Sequence, residues 1–261
     1  SLFTTSLSGQ EVQCPDMVNF QEFPSPEVLE CGQVSITRVI GSTSGFPTAS
    51  SAFPNTTDIT GINILVTGTF TVDQDIVFTN CNVYFSENAE MVTQGTVDLV
   101  GISSRFVYCE DKAWRRIRIN AEGALRFDDC VVAGALDGLD FRRGYRAQNS
   151  FLQNNRFFRN RYSISCVESG TKLSFTTFIH NTFYGIDPVP GLGTKPISGI
   201  HLVTCNAVIG TTVIYADDDP FGYEGFVNTF RNFHFGIESY NSTLYLTNCR
   251  FEQMRPEATV K

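Results

Sequence analysis

The chain has 261 residues, of which 42% are hydrophobic and 13% aromatic, a composition that excludes a disordered polymer. Charged residues make up only 18%, whereas Phe occurs 23 times, which favours β-strands over helices. The net charge of −8 argues against a general nucleic-acid binder, because neutralising phosphates requires an excess of Lys and Arg.

The chain contains eight cysteines. Their even number fits an oxidising compartment, and their spacing matches no zinc-binding pattern. The sequence has no run of about 18 apolar residues, so we expect no membrane-spanning segment. We therefore predict a secreted protein, located outside the cell or at its surface, that needs no cofactor.

The first 60 residues are rich in Ser, Thr, Pro and Gly and predict a cap segment before the main fold. Cys14 and Cys31 bracket a Pro-containing stretch within this segment. A disulfide between them would close a small loop and fix a segment that is too short to form its own core. Other pairings stay open, because cysteine spacing alone does not determine connectivity.

From residue 61 onward apolar residues alternate with polar ones, as in Ile62, Ile64 and Val66, which is typical of β-strands. An eight-residue repeat recurs in this region. Its clear copies are I-V-F-T-N-C-N-V at 76–83, L-R-F-D-D-C-V-V at 125–132 and L-Y-L-T-N-C-R-F at 244–251. Weaker copies occupy 151–157 and 173–178.

The copies that begin at Ile76, Leu125, Leu173 and Leu244 are separated by 49, 48 and 71 residues. Two, two and three turns of roughly 24 residues account for these separations, and such a length suits a coil of short strands and turns. We therefore predict an all-β fold for residues 61–261, a right-handed parallel β-helix in which equivalent side chains stack from coil to coil.

The repeat places Asn80, Asn154 and Asn248 at equivalent positions. We predict that these residues lie at one corner of the coil, because an Asn side chain tolerates the bend there. Asn side chains stacked in this way can also form hydrogen bonds with their equivalents in adjacent coils. Their predicted role is therefore structural.

Cys81, Cys130 and Cys249 share the next position of the repeat. They are interpreted as small buried side chains of the inner stack, with disulfides as the alternative. None of them has a His at a fixed spacing beside it, so we do not expect a nucleophile among them.

The segment from Cys109 to Ile119 reads C-E-D-K-A-W-R-R-I-R-I, in which a Cys precedes a Trp and a short strand. A Gly-Ala-Leu turn at 123–125 and Phe-x-x-Asn rungs follow. This succession resembles a β-helix of large secreted surface proteins of Bacteroidota, within the broad pectin-lyase-like class, over residues 60–254. The resemblance implies the fold and type IX secretion but no particular activity. These relatives commonly have Gly where this chain has Arg116, a difference that we expect to affect only the surface.

Residues 105–161 carry eleven Arg, one Lys and seven acidic residues, a balance of +5 that leaves −13 for the rest of the chain. Arg116, Arg118, Arg142 and Arg143 are the candidates for an anion-binding or glycan-binding surface in this region. The alternative is that these side chains pair with neighbouring Asp and Glu residues on a solvated face.

Catalytic members of this fold class attack acidic polysaccharides, either with clustered carboxylates or with Ca²⁺ and a basic residue. Asp137 and Asp140 form one acidic cluster at a junction between rungs. Asp217, Asp218 and Asp219 are the best candidates for metal ligands, but they lack the spacing of a Ca²⁺ loop. The three histidines are interpreted as outward-facing strand residues rather than a metal-binding set: His180, His201 and His234. We predict no catalytic residue and no bound metal.

The last repeat ends close to Lys261 without a helix or a polar cap after it, which predicts an exposed edge of the solenoid. We expect head-to-tail assembly with further copies of the chain. The residues expected to mediate it are Ser1, Leu2, Phe3, Phe251 and Met254. The preferred function is an extracellular fibre or adhesin subunit that contacts itself or other surface components. A glycan-binding domain of a larger surface protein is the alternative, and a polysaccharide lyase or hydrolase ranks third.

Overall fold

The computed structural model describes residues 31–120, 123–142, 150–167, 172–185, 187–210, 227–252 and 254. Within these residues nearly every regular element is a short strand, and the neighbouring strands of each sheet are parallel. The chain winds as a right-handed parallel β-helix, which confirms the fold predicted from the repeat.

Two short helices accompany the first strands, a 3-10 helix at Cys31–Gln33 and α1 at Ala49–Ala52. The strands in chain order are β1 (Arg38–Ile40), β2 (Asp58–Thr60), β3 (Asn63–Val66), β4 (Thr69–Val72), β5 (Ile76–Thr79), β6 (Asn82–Phe85), β7 (Glu90–Thr93), β8 (Leu99–Ile102), β9 (Arg105–Tyr108), β10 (Trp114–Ile119), β11 (Leu125–Asp128), β12 (Val131–Ala133), β13 (Ala135–Phe141), β14 (Phe151–Gln153), β15 (Arg156–Phe158), β16 (Tyr162–Val167), β17 (Lys172–Ser174), β18 (Thr177–Ile179), β19 (Thr182–Tyr184), β20 (Ser198–Val203), β21 (Asn206–Ile209), β22 (Asn228–Arg231), β23 (Phe235–Tyr240), β24 (Thr243–Leu246) and β25 (Cys249–Glu252).

The strands form four sheets, which run along the axis of the β-helix. The nine-stranded sheet has the order β1-β3-β6-β9-β12-β15-β19-β22-β25, and the seven-stranded sheet the order β4-β7-β10-β13-β16-β20-β23. A six-stranded sheet, β2-β5-β8-β11-β14-β18, and a three-stranded sheet, β17-β21-β24, complete the coils. From β3 to β16 the chain therefore returns to the same sheet at every third strand.

The interior is built from columns of equivalent apolar side chains. One column of the nine-stranded sheet consists of Ile64, Val83, Phe106, Val132, Phe157, Phe183, Phe230 and Phe251. Its aromatic rings stack face to face, with a centroid distance of 4.7 Å between Phe157 and Phe183 and of 4.5 Å between Phe183 and Phe230. All members are fully buried except Phe251, which is 44% exposed in the last described coil.

Coil lengths along this column show where the predicted repeat holds. Successive members from Ile64 to Phe183 lie 19 to 26 residues apart, close to the predicted 24, whereas Phe183 and Phe230 lie 47 apart. The longer coil contains an extended connection between β19 and β20 and another between β21 and β22.

The predicted register of Leu173 is wrong. Leu173 pairs with Ala207, and Ala207 with Leu244, in the three-stranded sheet, so two turns rather than three separate Leu173 from Leu244. Ile76 and Leu125 lie in the six-stranded sheet and are two turns apart, as expected. The error arises because one side of the coil divides into two strands, β17 and β18, and the repeat search treated both as one.

Asn80, Asn154 and Asn248 adopt left-handed backbone conformations, with φ of 52°, 57° and 51°. This conformation turns the chain, and the residue that follows each of them points into the core. The continuous hydrogen-bonded asparagine ladder that we expected at these positions therefore lies elsewhere, and Asn155 and Asn181 are two of its members.

The inward-facing column at this corner consists of Cys81, Ser104, Cys130, Asn155, Asn181, Asn228 and Cys249. Asn155 Nδ2 donates to Asn181 Oδ1 at 2.9 Å, and Asn181 Nδ2 donates to Asn228 Oδ1 at 3.0 Å. The asparagines thus satisfy one another inside the core, where an unpaired amide would be costly.

The amino-terminal part of the described chain departs from the prediction in two ways. Cys31 forms a disulfide with Cys109, with 5.3 Å between the Cα atoms, and not with Cys14, which lies outside the described residues. β1 and β2 already pair with β3 and β5, so the β-helix begins before the predicted boundary at residue 61. The pairing depends on proximity across 78 residues of sequence, which cysteine spacing does not reveal.

Candidate functional site

The outer surface of the seven-stranded sheet carries the densest group of polar and charged side chains among the described residues. In each strand Ile117, Leu139 and their equivalents point into the core, so the alternating residues point outward. We call this surface the polar face and define it by Glu90, Arg116, Arg118, Asp137, Asp140, Tyr162, His201, Glu238 and Tyr240.

Two adjacent columns build the polar face. In one, the strand pairing aligns Glu90, Arg116, Asp137 and Tyr162. The second column consists of Arg118, Asp140, Ser165, His201 and Glu238. The register shifts between Arg116 and Ile117, which gives β13 one extra residue, Gly138, and brings both columns close together.

Three guanidinium groups converge on one carboxylate in the first half of the polar face. Asp140 Oδ2 accepts hydrogen bonds from Arg142 Nε at 2.9 Å, Arg116 Nη1 at 3.2 Å and Arg118 Nε at 3.3 Å. Arg116 Nε also donates to Glu90 Oε2 at 3.0 Å. The Asp140 side chain is only 1% exposed, so this charge is stabilised by its partners rather than by water.

This network changes the interpretation of the predicted anion-binding arginines. Arg116 is 6% exposed and tied to two carboxylates, so it is a buried structural residue and not part of an open surface. The difference at this position that we expected to be superficial therefore lies within the ion network. Arg118 and Arg142 keep about a quarter of their side-chain surface exposed while they pair with Asp140. Arg143 lies outside the described residues.

The second half of the polar face is aromatic. The Tyr162 and His201 rings stack with centroids 4.4 Å apart, and the Tyr240 ring meets His201 edge-on at 6.3 Å. Tyr240 Oη donates to Glu238 Oε1 at 2.8 Å, while His201 Nε2 lies 3.8 Å from Glu238 Oε2. Tyr240 is 54% exposed, so this cluster has an open ring surface as well as hydrogen-bonding groups.

Burial shifts the proton affinities of two groups in opposite directions. It raises the pKa of Asp137, and the negative charge of Asp140 raises it further against the effect of nearby arginines. Burial lowers the pKa of His201, although Glu238 acts in the other direction. At neutral pH His201 is therefore a neutral ring that can donate one hydrogen bond and accept another.

Five buried side-chain polar atoms have no hydrogen-bond partner within the described part of the chain, and all of them belong to the seven-stranded sheet. They are Asp140 Oδ1, Ser163 Oγ, Ser198 Oγ, His201 Nδ1 and Glu238 Oε2. Three of the five belong to residues of the polar face. Buried polar atoms in folded proteins are nearly always paired, so their concentration on one sheet marks it as a place where polar groups of a ligand can be accommodated.

The other predicted residues occupy separate places. Cys130 is buried, and burial raises the pKa of its thiol to about 12, while the pKa of Cys249 is raised to about 11. Such thiols carry almost no thiolate at neutral pH and are poor nucleophiles. Phe251 lies in the last coil, where Met254 packs against the core. Ser1, Leu2 and Phe3 lie outside the described residues.

Metal-ligand geometry was sought in the described ranges. Among these residues there is no group of three or more His, Cys, Asp and Glu side chains that could hold a metal ion. The candidates Asp217, Asp218 and Asp219 lie outside these ranges. Of the helices that the structure describes, none is long and apolar enough to cross a membrane.

Sequence reasoning missed Tyr162, Glu238 and Tyr240 and assigned no binding role to His201. A signal was present, because Ile164, Ile200 and Ile237 each follow a small residue and are aligned in the core. The residues immediately after them, which include His201 and Glu238, consequently form one outward column. Comparisons of the chain with protein families, with curated proteins and with solved structures found no match.

Proposed function

We propose that this chain is an extracellular β-helix that binds a polysaccharide along its polar face. The observation that carries the proposal is the stack of Tyr162 and His201 beside the exposed Tyr240, with Glu238 hydrogen-bonded at its edge. Aromatic rings offer an apolar surface to the C–H groups of a sugar ring, and carboxylates at the ring edge accept hydrogen bonds from sugar hydroxyls.

The spacing of the β-helix supports an extended ligand. Neighbouring strands of a sheet are about 4.8 Å apart, so Asp140, Ser165, His201 and Glu238 present one side chain at each such step. This interval is close to the length of one sugar unit in an extended polysaccharide. A chain of sugars lying along the axis could therefore make similar contacts on successive coils.

The mixed charge of the face favours a neutral or weakly acidic polymer. Asp140 and Glu90 neutralise much of the positive charge of their three arginine partners. Arg118 and Arg142 still expose part of their guanidinium groups, which can bind hydroxyls or an occasional carboxylate.

We further assign the chain to the pectin-lyase-like class of secreted Bacteroidota surface proteins that use type IX secretion. The Cys-to-Trp phrase supports this assignment, since both residues have structural roles. Cys109 is disulfide-bonded, and Trp114 is buried, stacks on Phe85 at 4.1 Å and donates from Nε1 to Ala133 O at 2.7 Å. The disulfide also fits an oxidising location outside the cell.

Affinity electrophoresis in gels that contain soluble xyloglucan or polygalacturonate tests binding and separates a neutral from an acidic ligand. Tyr240→Ala should weaken binding by roughly tenfold or more, because it removes the exposed ring of the polar face. Tyr245→Ala is the matched control, since Tyr245 is 64% exposed on the three-stranded sheet. Equal retardation of the two variants, or none of the wild-type protein, would overturn the proposal. Release of unsaturated sugars that Arg142→Ala abolishes would point to a lyase instead.

Head-to-tail assembly into a fibre or adhesin is the second candidate, and the last described coil supports it. Five of its large apolar side chains are more than a third exposed: Phe235, Tyr240, Tyr245, Leu246 and Phe251. β23, β24 and β25 are also the outermost strands of their sheets in the described part of the chain. Unpaired strand edges with apolar side chains are templates for another chain, here a second copy.

Sedimentation velocity and negative-stain electron microscopy test this assembly. If the last coil joins copies, Phe251→Asp should convert filaments or oligomers to monomers. Leu192→Asp is the control, because Leu192 is 47% exposed in a connection before β20. Monomeric wild-type protein at high concentration would remove the fibre hypothesis without affecting the test of polysaccharide binding.

A further inference from the structure

We propose that Cys166 and Cys205 form a second disulfide, which joins two neighbouring coils of the β-helix. Their Sγ atoms lie 2.7 Å apart, and both residues are buried. A disulfide requires a separation of about 2.0 Å, so bond formation needs a movement of less than about 1 Å.

The fold explains why these two side chains meet. Cys166 lies on β16 and is aligned with Leu202 on the neighbouring strand β20. Thr204, just after β20, has a left-handed φ of 55°, and this turn directs the next residue, Cys205, into the core beneath β16. Cys205 Sγ also donates to the carbonyl oxygen of Cys166 at 2.8 Å, which holds the two residues together.

Other thiols of the core lack this relationship. Cys81 and Cys130 occupy one column, but Ser104 lies between them, so they are two coils apart. Asn155, Asn181 and Asn228 separate Cys130 from Cys249 in the same column. Two strand spacings amount to about 9.6 Å, beyond the reach of a disulfide. Among the described thiols, Cys166 and Cys205 are consequently the pair suited to cross-linking.

The reaction is a thiol–disulfide exchange with a small or protein disulfide, R–S–S–R, as the oxidant. The thiolate of one cysteine attacks a sulfur of the oxidant, forms a mixed disulfide and releases R–S⁻, which takes up a proton. The thiolate of the other cysteine then attacks the cysteine sulfur of the mixed disulfide and releases a second R–SH. Two protein thiols and one R–S–S–R thus give one protein disulfide and two R–SH.

Burial determines when this exchange can happen. Both sulfurs are covered in the folded coil, so the oxidant must reach them before β20 closes over β16 during folding. Once formed, the bond closes the loop from Cys166 to Cys205, which contains the long connection between β19 and β20. A cross-link of this kind restricts the unfolded chain and slows the opening of these coils.

Peptide mapping tests the proposal on the wild-type protein. The protein is refolded with glutathione disulfide, alkylated in denaturant without reduction, digested and examined by mass spectrometry. The expected result is a linked pair of peptides containing Cys166 and Cys205, lost after treatment with dithiothreitol. Full alkylation of both residues, in a sample where Cys31 and Cys109 are linked, would overturn the proposal.

Thermal unfolding gives a second readout. In a Cys31→Ala, Cys109→Ala background the disulfide described in the structure is absent, so a fall in the thermal midpoint on reduction reports another cross-link. Adding Cys205→Ala should abolish this fall, whereas adding Cys130→Ala, which also alters a buried cysteine, should leave it intact. A midpoint that reduction does not change in the background protein would contradict the proposal.

Discussion

Asn181 lies directly above Asn155 in the next coil, and its Oδ1 accepts hydrogen bonds from both the side chain and the backbone nitrogen of Asn155. Asn181 in turn donates to Leu152 O at 2.9 Å and to Asn228 Oδ1 at 3.0 Å. One buried amide therefore links three coils, and the core at this corner depends on polar contacts as well as on apolar packing.

Replacing Asn181 should strongly destabilise the protein. Asn181→Ala leaves the Leu152 carbonyl and the Asn155 amide without their buried partner, and we expect a loss of about 3 kcal/mol in the free energy of unfolding. Asn206→Ala, at an exposed position of β21, should change it by less than about 0.5 kcal/mol. Urea unfolding of both variants measures the difference, and similar midpoints would refute the structural role of the ladder.

The charge of Asp140 should be essential to the fold. Asp140→Asn leaves three guanidinium groups around a neutral amide, and we expect a loss of about 3 to 5 kcal/mol in the free energy of unfolding. Asp129→Asn is the control, because Asp129 is 55% exposed and lies 3.7 Å from Arg156. Its loss should cost less than about 1 kcal/mol. Guanidinium unfolding curves that shift equally would contradict this prediction.

His201 should make stability depend on pH. Its pKa is lowered in the folded state from the ordinary value of 6.5, chiefly by burial, so the unfolded chain binds the proton more readily. The resulting stability is fully present above pH 6.5 and is lost as the pH falls through the lower pKa of the folded state. His201→Gln should therefore reduce the decline in the free energy of unfolding on acidification. Urea titrations between pH 7.5 and pH 5 measure this decline, and an unchanged slope in the variant would disprove the prediction.

The inner cysteines should resist alkylation in the native protein. Burial raises the pKa of Cys130 to about 12, and the residue is inaccessible, so iodoacetamide at pH 8 should modify it only when the β-helix unfolds. Cys249, which is partly exposed, should react sooner despite its raised pKa of about 11. Mass spectrometry of timed samples gives both rates. Modification of Cys130 as fast as that of Cys249 would show that the described core opens locally.

Repetition made the architecture predictable, because every coil places an apolar side chain over its equivalent and the pattern returns along the chain. The column from Ile64 to Phe230 is such a pattern, and alternation with polar residues identified its strands. Local repetition did not reveal where a coil divides. Leu173 therefore received the register of a six-stranded sheet to which it does not belong.

The asparagine ladder was displaced by one position for a related reason. Asn154 and Asn155 are adjacent and chemically identical, and only the left-handed φ of Asn154 decides which of them faces the core. The polar face was harder to predict, since it combines Asp137, Tyr162 and His201 from three separate coils. Proximity between coils also determines the partner of Cys31, which lies 78 residues away.

The disulfide between Cys31 and Cys109 has a mechanical consequence. Cys109 follows β9, and β9 is separated from β1 by β3 and β6, a rise of about 14 Å at three strand spacings. Tension applied to the chain at Cys31 would pass through the covalent bond directly to the coil that contains Trp114. The coils between β1 and β9 would then carry no load, so pulling at this end cannot unzip the β-helix strand by strand from its first rung.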